Sequence, residues 1–213
     1  MNEPIKIDIW SDIACPWCYI GKRRLEAGLA ETGVPVEIEY HSFELVPDMP
    51  VDYDGSHADF LSGHLGVTAE QVKEMNARVG GIAESVGLHY DFEHMHPANT
   101  VKAHQVLHLA KANGVQEAMK ERLLAAYFLE GRNLADHAAL ANLAAEVGLD
   151  RDEVLRVLEN DELVDAVRAD QRLAARYGIR GVPFYVFAGK YGVSGAQESE
   201  VFAQVLRKVA EDG

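Results

Sequence analysis

Cysteine is nearly absent from this chain, with two residues in 213. Two cysteines cannot build the multi-bridge framework with which small secreted domains compensate for a thin core. Long apolar runs are missing as well. No stretch of 18 or more apolar residues occurs, which excludes a transmembrane helix on length alone. The opening residues, MNEPIKIDIW, show no basic region leading into an apolar stretch, so no secretory signal is expected. The expected compartment is the cytoplasm, where thiols are kept reduced. Basic residues are scarce relative to acidic ones, 20 against 34, for a net charge of −14. A surface of that sign repels phosphate backbones and anionic headgroups, so neither nucleic acid nor membrane is expected as a partner. Solubility is the plainer use of such acidity.

What is present begins with alternation. Ile5, Ile7 and Ile9 alternate with Lys6, Asp8 and Trp10, the period of a strand. A helix is expected over about 16–31, with Cys18, Leu25 and Leu29 on one stripe and Gly33 as its left-handed end. Val36, Ile38 and Tyr40 then alternate with Glu37, Glu39 and His41. Strand, helix and strand in this order predict a parallel pair with a crossover helix. From about Glu44 the pattern changes. VPDMPVDYDGS reads as a loop, and residues 46–60 are expected to lack regular structure. Thr68 and Gln71 have capping-box spacing ahead of Val72, Met75, Val79, Ile82 and Val86. Further helices fit 98–113, 115–129, 136–147 and 151–159, with Asp136 and Asp150 as caps. A helix over about 162–177 follows, then a hairpin of 184–187 and 191–194 through Ala188-Gly189-Lys190, then a last helix over 198–210. The chain thus predicts an α/β domain formed by residues 1–46 and 165–213, interrupted by an all-helical insertion over 47–164.

Both cysteines fall within four residues, Cys15-Pro16-Trp17-Cys18. Proline is favoured at the first position of a helix, where its missing N–H would have no partner. Pro16 there makes Cys15 the N-cap, its sulfur facing free amides and the positive end of the helix dipole. Both effects favour thiolate, and thiolate is the nucleophile in disulfide exchange, so a lowered Cys15 pKa is expected. Cys18, one turn in, is placed to resolve a mixed disulfide on Cys15. Pro16 and Trp17 tune the pair without adding a cation. Asp12, where close in space, opposes ionisation. A zinc site would need two more ligands. His94 and His96 supply them only on paper, outside a matching knuckle, and no metal is expected.

The second feature is GVPFYV, residues 181–186. Proline directly before a strand marks either a strand start or a special turn, of which a cis proline is one form. Taken together, SDIACPWCYIGKRRLE, NTVKAH (99–104), GIRGVPFYVF (178–187) and SGAQ (194–197) resemble the thioredoxin fold of the DsbA family, in its FrnE-type branch, along nearly the whole chain. The resemblance implies a thioredoxin-like fold with a large all-helical insertion and dithiol–disulfide oxidoreductase activity. It implies Cys15 and Cys18 as the redox pair and Pro183 as a cis proline facing them. Val182 would align an extended substrate by strand addition. It implies no organic cofactor, with glutathione as a compatible substrate or reductant, and partners that are protein or small-molecule thiols and disulfides.

The chain is also similar to the kappa-class glutathione transferases and 2-hydroxychromene-2-carboxylate isomerases, which share the helical insertion and bind glutathione. In that branch Asn99 and the SGAQ turn would contact the ligand; otherwise Asn99 caps a helix and SGAQ is a turn. That branch presents serine where this chain presents Cys15, so the complete pair favours redox exchange. A non-enzymatic binding module using the helical insertion is a further reading. His41, His104 and His108 are candidates to approach the site, with His104 a substrate-binding candidate, and Glu44 is a candidate proton acceptor for Cys18. Trp17 is either part of the binding surface or packed on the helix rim. A dimer is compatible with the sequence and not required by it.

Overall fold

The computed structural model describes residues 3–51 and 53–212. The chain forms two compact units, Met1–Leu45 with Ala166–Gly213, and Val46–Asp165.

The first unit is built on β1 (Ile5–Ser11), α1 (Pro16–Thr32) and β2 (Val36–Ser42). After the intervening unit come α8 (Val164–Arg176), β3 (Phe184–Phe187), β4 (Tyr191–Ser194) and α9 (Ser199–Glu211). The sheet order is β2-β1-β3-β4. β1 and β2 pair in parallel, with Asp8 opposite Glu39 and Trp10 opposite His41, while β3 runs antiparallel to both β1 and β4. Ala188, Gly189 and Lys190 join β3 to β4; Ala188 and Gly189 both take positive φ, and the Lys190 amide donates to the Phe187 carbonyl at 2.9 Å.

Alternation along β1 divides the two faces of the sheet. Ile7 and Ile9 enter a core with Leu25 of α1 and with Phe202, Leu206 and Val209 of α9. On the other face Trp10 packs with Ala174, Ile179, Phe43, Val182 and Phe184. α1 ends where Gly33 takes φ 64° and its amide bonds to the Leu29 carbonyl. α1 lies against α9 through Gly28, where an added Cβ would meet the Ser199 carbonyl oxygen at 2.9 Å and Phe202 Cβ at 3.0 Å.

The second unit contains α2 (His57–Leu65), α3 (Ala69–Glu84), α4 (Val101–Ala112), α5 (Gln116–Phe128), α6 (His137–Glu146) and α7 (Arg151–Glu159). Thr68 and Gln71 close a capping box on α3, and Asp136 and Asp150 cap α6 and α7. The expected loop over 46–60 is corrected at its end, because α2 begins at His57. Ser56 and Asp59 form a reciprocal capping box that starts it, and Gly66 ends it at φ 67°. α4 starts at Val101 rather than 98, because the Asn99 side chain takes up the Val101 amide ahead of the helix.

Replacing Gly28 by alanine should destabilise the protein. Helix propensity alone would favour alanine by about 1 kcal/mol, but the contact on the Ser199 carbonyl is with backbone, and overpacking of that kind costs about 1–3 kcal/mol. Urea denaturation should show a lower midpoint at unchanged slope; a higher midpoint would mean the helix pair can spread at little expense.

Candidate active site

Cys15 is the N-cap of α1, in extended backbone conformation (φ −93°, ψ 111°), and Pro16 opens the helix. The Cys18 amide bonds to the Cys15 carbonyl at 3.0 Å, which places the second cysteine one turn along. Both residues are free thiols and buried, each 3 % exposed. The chain returns to them from the far side of the sheet. The Val182–Pro183 peptide bond is cis, and the Cys15 thiol donates to the Val182 carbonyl at 3.5 Å. Pro183 is buried, while Pro16, Trp17 and Val182 are half-buried beside the pair. The SGAQ turn braces this loop: the Gly195 amide donates to the Pro183 carbonyl at 2.8 Å, and Arg24 Nη1 donates to the Ala196 carbonyl at 2.7 Å. Tyr185, nearly fully buried, lies on α1 at Gly21, the next turn after Cys18.

The electrostatics correct one expectation. Cys15 was expected to ionise easily; instead its pKa is pushed well above the ordinary thiol value. The first cause is the hydrogen bond with the Cys18 side chain, followed by burial, the charge of Cys18 and, more weakly, that of Asp12. The Cys18 amide pulls the other way and is outweighed by the Cys18 side chain and burial. The helix end is present, but its field acts on a sulfur withdrawn from water, where desolvation penalises the charged form. Tyr185 is likewise raised, first by burial and then by its thiol neighbours. Asp12 is buried in the loop before Cys15. Its Oδ2 accepts the Leu45 amide at 2.8 Å and its Oδ1 the Ala14 amide at 3.5 Å.

The site therefore gathers Cys15, Cys18, Val182 and Pro183 in one unit. Other candidates have partners of their own. Asn99 and His104 belong to the second unit. The Asn99 amide donates to the Met49 carbonyl at 2.7 Å and its oxygen accepts the Val101 amide at 3.0 Å, so this side chain is committed to its own unit. His104 is fully buried on α4. Glu44 is paired with Arg168, and Gln171 donates to it at 2.6 Å. His41 binds Asp8 and Asp170. Arg24 and Tyr185 were not singled out in the sequence, and the SGAQ turn was not expected to brace this loop, since only the returning chain reveals what they touch.

The family model of the DSBA-like thioredoxin domain matches residues 6–207. The chain belongs to the DSBA-like thioredoxin domain family. Within the wider set of similar proteins, the uncharacterized protein YwbO of Bacillus subtilis (strain 168) is 29% identical over 206 residues, 95% of this chain and 96% of YwbO. The crystal structure of a probable DsbA oxidoreductase from Streptomyces coelicolor is 39% identical, with a TM-score of 0.90 over 98% of this chain and 91% of that one. A 2-hydroxychromene-2-carboxylate isomerase has a TM-score of 0.74 over 97% of each chain, but at 15% identity it shares the fold alone. This DSBA-like chain thus has the thioredoxin fold with a helical insertion. Among the described residues, no helix is long and apolar enough to cross a membrane.

Titration of the reduced protein by thiolate absorbance should place Cys15 above the free-cysteine value of about 8.5. Asp12→Asn should move it down, because the opposing charge is removed while the one amide oxygen still accepts the closer Leu45 amide. A Cys15 that ionises below the free value, unmoved by Asp12→Asn, would contradict this description.

Proposed function

We propose that the protein is a thiol–disulfide oxidoreductase working through Cys15 and Cys18. The observation that carries this reading is the convergence of a free cysteine pair, one turn apart at a helix start, on the carbonyl of the residue before Pro183. A buried pair in contact is suited to passing between dithiol and disulfide with little movement of its helix.

In the reducing direction, Cys15 as thiolate attacks a substrate disulfide. One S–S bond breaks, a mixed disulfide forms on Cys15, and the first substrate thiol leaves with a proton. Cys18 then attacks Cys15, closing the internal disulfide and releasing the second thiol, so two electrons pass to the substrate. Two small thiols of the glutathione class restore the dithiol in turn: the first forms a mixed disulfide with the pair, the second releases it as the small-thiol disulfide, and no organic cofactor enters. The Val182 carbonyl, engaged at rest by the Cys15 thiol, becomes available to an extended substrate strand as that thiol reacts. A raised Cys15 pKa supports the reducing direction. Strong oxidants of this chemistry stabilise the thiolate, whereas reductants hold their attacking cysteine nearer or above neutrality. We infer a reducing compartment, such as the cytoplasm, as the place of action, with protein or small-molecule disulfides as substrates.

Insulin reduction by glutathione should be accelerated by the protein and lost in Cys15→Ser. Cys18→Ser should accumulate a covalent mixed disulfide visible by mass spectrometry. Reduction undiminished in Cys15→Ser, with turnover of a glutathione-dependent isomerisation substrate, would instead place the protein with the isomerases.

A further inference from the structure

On the sheet face opposite α1 and α9 lies a charge cluster that the thiol chemistry does not use. Lys6 and Asp8 of β1 and Glu39 and His41 of β2 share that face, and α8 lays Asp170 across it. His41 is 8% exposed. Its Nε2 lies 2.9 Å from Asp8 Oδ1 and 3.6 Å from Glu39, and its Nδ1 lies 2.9 Å from Asp170 Oδ1. A neutral imidazole has one N–H and can donate to only one carboxylate. Carboxylates on both ring nitrogens therefore require the imidazolium. Burial alone would lower the His41 pKa, but Asp170 and Asp8 outweigh it and the net direction is upward.

Asp8, Glu39 and His41 also hold three potential metal-ligand atoms within 4.8 Å of one another. The cluster already has its cations: Lys6 Nζ lies 3.1 Å from both Asp8 and Glu39, and the imidazolium supplies the second. The charged groups facing His41 are thus Lys6 and Asp8 from β1, Glu39 from β2 and Asp170 from α8.

This clamp reaches the thiols through one residue. The Trp10 ring stacks on His41 at 4.5 Å between centroids and 17° between planes. Its Nε1 donates to the Asp170 carbonyl at 3.2 Å. Trp10 then packs in one cluster with Val182 and Phe184, and Val182 presents the carbonyl that receives the Cys15 thiol. Asp170 also binds the Ser42 amide at 2.8 Å, so one side chain ties α8 to the end of β2.

We propose that His41 is a positioning residue for the thiol pair: its imidazolium, clamped between Asp8 and Asp170, holds Trp10, and through Trp10 the Val182 carbonyl that accepts the Cys15 thiol hydrogen bond. The clamp is intact below the ordinary histidine pKa of about 6.5 and is lost as pH rises through the raised value in the folded protein. Losing it loosens the acceptor of the Cys15 proton and makes the sulfur easier to ionise. This inference rests on Cys15 as the reactive thiol but not on its use in disulfide exchange.

The test is the rate of Cys15 alkylation by iodoacetamide against pH, with the His41 titration followed by NMR. In wild-type protein the rate should show an upward step that tracks His41, superimposed on the ordinary rise of thiolate with pH. His41→Gln, neutral throughout, should alkylate several-fold faster than wild type below the step. His41→Arg, charged throughout, should restore the slow rate and abolish the step. A step that survives in His41→Arg overturns the proposal, as does a His41 titration with no inflection in the rate. If His41→Gln does not fold, the arginine variant and the wild-type titration still decide. Because alkylation involves no disulfide, a wild-type rate without the step alongside intact insulin reduction would sink this proposal alone, and a wild-type step without insulin reduction would sink only the oxidoreductase reading.

Discussion

One weak hydrogen bond, from the Cys15 thiol to the Val182 carbonyl, ties together segments 167 residues apart. The start of α1 and the turn into β3 must meet there, and much of the first unit serves that meeting. β1 delivers the loop of Asp12 to Cys15, and β3 pairs beside β1 so that Val182 and Pro183 arrive opposite. The Gly195 amide and Arg24 brace the returning loop. Had α1 begun one residue later, Cys15 would face another direction and the carbonyl would have no donor.

The protonation of Cys15 is decided around the same contact, by burial and by the neighbouring Cys18 and Asp12. A sulfur at a helix start experiences two opposed influences, attraction from the helix end and loss of water. Here water is nearly gone, the pull of the Cys18 amide is outweighed, and the Cys18 side chain and Asp12 add to the penalty. The outcome is a Cys15 held toward its thiol form. Behind it, charge is concentrated on the opposite face of the sheet, where Lys6, Asp8, Glu39, His41 and Asp170 form a network of both signs. A neutral site thus sits at the end of the same strand that carries one of the most charged parts of the core.

Much of this was legible in the chain. Alternation over residues 5–10 and 36–41 led to the parallel pair, and Thr68, Asp136 and Asp150 marked helix starts that the structure contains. CPWC and VPF are the two segments that the Cys15–Val182 contact brings together. What stayed hidden is long-range. The α2 start at Ser56 carries a capping box, but the turn-rich residues before it masked the signal. The sign of the Cys15 shift depends on burial and on the contact with Cys18, which no local spacing reports. His41 looked like one of several histidines near the site; only the β1–β2 register and the α8 packing reveal Asp8 and Asp170 on its two nitrogens.

The account stands on a thiol pair whose reduced form draws no stabilisation from an ionised sulfur. The most direct test is the reduction potential of the Cys15–Cys18 couple, measured by equilibration against glutathione or dithiothreitol at neutral pH. The account predicts a value at the reducing end, near about −270 mV, as for a thioredoxin-type reductant. A value near about −120 mV would mean a strongly stabilised thiolate and would contradict the neutral, carbonyl-bonded Cys15 described here.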